Sequence, residues 1–165
     1  MTDRFSEYKK GKLFLISVIA LTTTGLAFSI RSSIAGELQT IFFDPLDKLR
    51  SAEMIGSVLG ATFLGFAFTI AIGSPVLDFF GMGRMLGLSS LCLMAGTLVV
   101  IFAEQLQGAF SEPSAIYRII WSGMLITGIG QGLVETVINP LAATVYPDDK
   151  THKMKEPEVV AMMQE

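Results

Sequence analysis

Two ionisable side chains stand inside long apolar runs: Arg31 in the run over residues 13–36, and Glu135 in the run over 116–143. A charge at the centre of a bilayer costs at least ~2.5–3.5 kcal/mol, so such residues face a bundle interior or a wet cavity. Around the glutamate, Thr127, Gln131, Glu135 and Asn139 recur every four residues, which stacks them as one polar stripe along a helix. Gly128, Gly132 and Thr136 form a stripe of small residues beside it. The spacing predicts a polar line facing a cavity and a smooth line facing another helix. A carboxyl in low-dielectric surroundings favours its neutral form, and a group that loads and sheds a proton within the membrane suits proton coupling. For Gln131 and Asn139 two roles stay open, binding a solute or hydrogen-bonding a neighbouring helix.

The arginine has its own line. Ser17, Thr24 and Arg31 follow at seven-residue spacing, with Thr23 and Ser32 beside them. A guanidinium keeps its charge. Arg31 is therefore suited to be a fixed positive charge, a donor to the hydroxyls or carboxylate of a substrate, or a partner for Glu37. Direct pairing with Glu135 is not expected. If the two runs cross in opposite directions, Arg31 lies toward the outer end and Glu135 toward the inner, ~20 Å apart in depth. They are expected to be separate stations in one cavity.

Composition excludes several other chemistries. The chain has 165 residues, of which 51% are hydrophobic and only 16% charged. A soluble domain carries nearer a quarter charged residues, so this chain is built for lipid, as its mean hydropathy of +0.57 also indicates. A net charge of -3, with no basic tract among aromatics, gives no basis for nucleic-acid binding. Cys92 is the single cysteine and His152 the single histidine, so neither a disulfide nor a metal-binding spacing is complete. No Ser/His, Asp/Asp or His/Glu arrangement falls at membrane depth. Neither an enzyme nor a cofactor or metal site is expected.

The elements that must hold Arg31 and Glu135 are membrane helices. A crossing helix needs about 20 mainly apolar residues, and four runs qualify, roughly 13–36, 54–77, 85–103 and 116–143. The fold expected is all-α, a polytopic four-helix membrane domain over 13–145. A cytoplasmic segment (1–12) precedes it and a polar cytoplasmic tail (146–165) follows. Asp44-Pro45 and Glu112-Pro113 mark turns. Arg4, Lys9, Lys10, Lys12, Arg84, Lys150, Lys153 and Lys155 fall on one side, against Lys48, Arg50 and Arg118 on the other. The positive-inside rule then puts both termini in the cytoplasm, in a cell membrane. A cleaved signal peptide is the rival for the first run, since Gly25-Leu26-Ala27 imitates a cleavage site. The run continues helix-compatible to Ala35, and three further spans follow either way. Gly56/Gly60, Gly83/Gly87 and Gly128/Gly132 all read G-x-x-x-G, a spacing that lets helix backbones approach closely.

The connection "GSPVLDFFGMGR" is short. Asp78 is expected to end the second span, Gly81 and Gly83 to reverse the chain, and Arg84 to open the third. An Asp78 carboxylate there can meet a helix N-terminus. Gly73, Asp78, Gly81 and Arg84 resemble the loop signature of the major facilitator superfamily, with Ser74 and Phe79 departing from its usual pattern. The stretch "GIGQGLVETVINP", with Gly128, Gly130, Gly132, Glu135, Asn139 and Pro140, resembles the fourth helix of its fucose-permease-like sugar–proton symporters.

That resemblance implies a transporter for a sugar or similar small polar solute, with Glu135 taking part in solute binding and proton coupling. Those permeases carry a carboxylate in the first helix, whereas the in-span charge of this chain's first helix is Arg31, which suggests a distinct subgroup. Family members have about twelve spans in two related halves, so the resemblance implies an N-terminal fragment needing the remaining helices. The alternatives are a transporter remnant and a small four-span scaffold or subunit that oligomerises through its glycine faces.

Overall fold

The computed structural model describes residues 10–110 and 112–145. Among them every regular element is helical: α1 (Lys10–Leu38), α2 (Ser51–Phe80), α3 (Met82–Ile101), the short α4 (Ala103–Gln107) and α5 (Ala115–Val145). Most of the segment before residue 12 and the whole tail after Val145 lie outside the described residues. So do Arg4, Lys9, Lys150, His152, Lys153 and Lys155, on which part of the charge count rests.

Three helical stretches are long and apolar enough to cross a membrane: Leu15–Phe43, Ser51–Gly73 and Met82–Ile101. Their outward sides are apolar, with Ile19, Leu26 and Ile30 on α1, Phe63, Leu64 and Phe68 on α2, and Leu91 and Met94 on α3 all exposed. The fourth expected run is the 31-residue α5, which is not among those three. Its apolar residues are diluted by the two stripes already described.

α5 occupies the middle of the bundle. It packs against α2, α3 and α1, whereas those three touch one another little. Thr62 of α2 lies at Gly128, Thr69 at Gly132 and Gly73 at Thr136, so α2 runs parallel to α5. Gly96 of α3 meets Gly123 and Thr127, while Ser89 and Leu93 meet Gly130, so α3 runs antiparallel. α1 is antiparallel too, with Arg31 at the level of Thr127 and Thr24 at that of Gln131.

Small residues allow this closeness. A Cβ on Gly128 would collide with the Thr62 carbonyl oxygen, and one on Gly132 would lie 2.7 Å from Thr69 Cβ. The partners on α2 are Thr62, Gly65, Thr69 and Gly73, and on α3 Gly96 approaches the Gly123 carbonyl. Without water to drive apolar surfaces together, close backbone packing of this kind holds membrane helices side by side. Gly56, Gly60, Gly83 and Gly87 have the same four-residue spacing but face open space. Spacing puts two glycines on one face without specifying which face meets a neighbour.

The ends of the elements follow local chemistry. α1 runs past its expected end into a π turn at Gln39–Phe43, closed by the Asp44 N–H on the Gln39 carbonyl at 2.9 Å. Pro45 then prevents continuation. α2 continues through Asp78 to Phe80, and the reversal rests on Gly81 alone, at φ 75. Gly83 is already helical. Pro140 sits inside α5, which continues past it to Val145.

Candidate functional site

Seven-residue spacing keeps Ser17, Thr24, Arg31 and Leu38 on one side of α1, and that side faces the bundle. Ser17 and Leu38 are buried, and Thr24 and Arg31 are half-buried. On α5, Thr127 and Gln131 are buried, Glu135 is half-buried and Asn139 is exposed. The polar stripe therefore turns from core to surface along its length.

Thr24, Gln131 and Glu135 meet in the wall of one cavity of about 260 Å³ between α1, α2 and α5. Phe28, Phe63 and Phe66 supply most of the rest of the wall, together with Thr62. Gln131 Nε2 donates to the Thr24 carbonyl oxygen at 3.3 Å, which anchors the amide across the helix interface and leaves its oxygen toward other donors. Thr24 Oγ1 donates to its own helix at Leu21 O, 2.8 Å. Glu135 has no hydrogen bond or ion pair among the described residues. An apolar cavity with a few convergent polar groups is the usual form of a small-molecule site.

Arg31 lies about two turns of α5 from Glu135, a separation of ~12 Å along the helix rather than the ~20 Å expected. Its Nη1 donates to Thr127 Oγ1 at 3.0 Å, and Thr127 Oγ1 donates onward to Met124 O at 2.8 Å. Arg31 does not share the Glu135 cavity, contrary to the expectation of one common chamber. It lines a space of about 270 Å³ beside α3, with Thr97 and Thr127, and a notch of about 40 Å³ beside α2, with Phe28 and Thr62. The π-cornered α1 keeps Glu37 exposed. Six positions turn a helix by ~240°, so Glu37 sits on another face and does not pair with Arg31.

The residues of the loop signature are dispersed. Gly73 lies within α2, packed on Thr136. Asp78 and Arg84 are exposed and form no ion pair with each other, and no side chain caps α3. Gly81 makes the turn.

Thr62 was not singled out from sequence, although it touches both Gly128 and the Arg31 notch. Its signal was the small-residue series Thr62, Gly65, Thr69 and Gly73, spaced by three, four and four residues along one face of α2. Among the described residues no group of three or more His, Cys, Asp and Glu side chains gathers as a metal site. Comparison with protein-family models, characterised proteins and solved structures finds no match to this chain, so its site is understood from its own geometry.

Proposed function

We propose that this chain is a membrane transporter, or part of one, of the major facilitator type, carrying a sugar or similar small polar solute together with protons. The observation that carries this reading is Glu135, a carboxylate without a partner among the described residues, in the wall of a half-open cavity that also holds Gln131 and Thr24. A carboxyl held only as glue between helices would be bonded to one of them. This one is left to a proton or a solute. Gln131 and Thr24 offer the hydrogen bonds that orient hydroxyl groups, and the phenylalanines suit the apolar faces of a ring.

In this reading α5 is a fourth crossing, screened from lipid by α1, α2 and α3, so it tolerates polar stripes that would be costly on an exposed helix. Both termini then lie in the cytoplasm, the bilayer is the cell membrane, and further helices complete a site that works by alternating access. Accumulation of labelled sugar in vesicles from cells expressing the protein together with the helices that complete its site tests it. A proton gradient should drive uptake, and Glu135→Gln should abolish proton-driven accumulation while leaving solute exchange. Unchanged accumulation in that variant would sink the assignment.

A second reading, a small subunit that oligomerises, is favoured by Gly56 and Gly60, which face open space with the spacing of a helix-packing motif. Mass measurement in mild detergent separates the two, because Gly56→Leu dissolves such an oligomer and leaves a single-chain bundle intact.

A further inference from the structure

A guanidinium has five N–H donors, yet among the described residues Arg31 has one partner, Thr127, reached by Nη1. Its Nε and Nη2 are buried with no hydrogen bond, and among the described residues the third buried side-chain polar atom in that condition is Thr62 Oγ1. All three belong to residues that line the notch of about 40 Å³ between α1 and α2. Buried donors left unmade are costly, and in native proteins they mark a missing water, ion or ligand. The ion pairs among the described residues, Arg50–Glu53 and Arg118–Glu112, are exposed and far along the chain from this place. Among the described residues the charge of Arg31 is therefore uncompensated.

Nε and Nη2 form one edge of the guanidinium, with parallel N–H bonds spaced to meet two oxygens of one group. A planar carboxylate fits that fork, and the Thr62 hydroxyl can donate to the same oxygens. The notch is roomier than the ~10–15 Å³ that a single water needs. Phe28, Thr62 and Phe63 line both the notch and the Glu135 cavity, so a molecule with its acid group at Arg31 would place its body beside Gln131.

We infer that the Arg31–Thr62 notch binds the carboxylate of the solute, so that the substrate is a hydroxylated organic acid and not a neutral sugar. This rests on the transporter reading and narrows it. Charge balance agrees, since the bound anion compensates Arg31 within a low-dielectric surrounding where an isolated cation is disfavoured.

Calorimetric titration of the full chain in lipid nanodiscs tests the inference with three probes: glucuronate, glucose and inorganic phosphate. Glucuronate should bind ~10-fold or more tightly than glucose, the worth of one charge-assisted hydrogen-bonded pair, and tighter than phosphate. Arg31→Lys keeps the charge but loses the fork, and should weaken glucuronate by a similar factor. Thr62→Val should also weaken it while leaving the unfolding midpoint unchanged or raised, because that hydroxyl has no partner to lose. Equal affinity for glucose and glucuronate, sensitive to Gln131→Leu but not to Arg31→Lys or Thr62→Val, would overturn the carboxylate site and leave the transporter reading standing. Tighter binding of phosphate would overturn the choice of carboxylate. Binding of none of the three, with only water in the notch, would overturn both.

Discussion

Arg31 is held by a single described bond, so its partner carries more weight than a threonine usually does. Thr127→Val removes the acceptor of Nη1 and leaves a further buried donor unpaired, which should cost ~1–3 kcal/mol. Thr136→Val is the control, because that hydroxyl donates only to Gly132 O of its own helix, 2.8 Å away, and should cost less. Unfolding midpoints in detergent distinguish them, and equal losses would mean that the Arg31–Thr127 bond contributes nothing. Both charged residues of interest were legible in the sequence, because a charge in an apolar run is conspicuous. What they touch was not. The four-residue period joined Thr127 to Asn139, but only packing shows that Thr127 is buried and Asn139 exposed. Thr62 was missed for a different reason: its small-residue series marks only a packing face on α2, and its further importance comes from α1 arriving opposite with Arg31.

Among elements, α5 is the one whose neighbours leave no slack. Gly128→Ala would drive a methyl into the Thr62 carbonyl and Gly132→Ala would press Thr69. Each should destabilise by ~1–3 kcal/mol, the usual range for overpacking, and more at Gly128, where the obstacle is backbone. Gly56→Ala and Gly60→Ala point into open space and should be neutral or stabilising by up to ~1 kcal/mol, since alanine is the better helix former. Heating each variant in detergent and measuring the monodisperse fraction checks the contrast. A Gly56→Ala loss equal to that of Gly132→Ala would mean that another helix covers that face. The expected runs located the helix bodies well, since long apolar stretches dominate the pattern. Their ends moved by several residues because local bonds decide them: the π turn before Pro45, the positive φ at Gly81 and the short α4 that follows α3 are not written in hydropathy.

At the scale of the molecule, the alternation of helix directions makes a claim about sides. The α1–α2 connection and the segment before α5 lie together, since Asp47, Arg50, Glu112 and Ser114 line one polar groove of about 560 Å³. Gly81 and Gly83 stand at the opposite end of α2 and α3. If α5 is a true fourth crossing, cysteines introduced at Leu49 and Ser114 must label from the same side of the membrane, and one at Gly83 from the other. In a Cys92→Ser background, an impermeant maleimide should reach Leu49→Cys and Ser114→Cys on intact cells. Gly83→Cys should react only after permeabilisation, since the proposed orientation places that end in the cytoplasm. Labelling of Gly83→Cys on intact cells would invert the orientation without disturbing the bundle. Labelling of Leu49→Cys and Ser114→Cys from different sides would be more damaging, because the groove that unites them could not then exist. The central place of α5 makes the first pattern the expected one: Thr127, Gln131 and the small-residue stripe are buried against three helices whose outer faces are apolar, which suits a helix that crosses within a bundle.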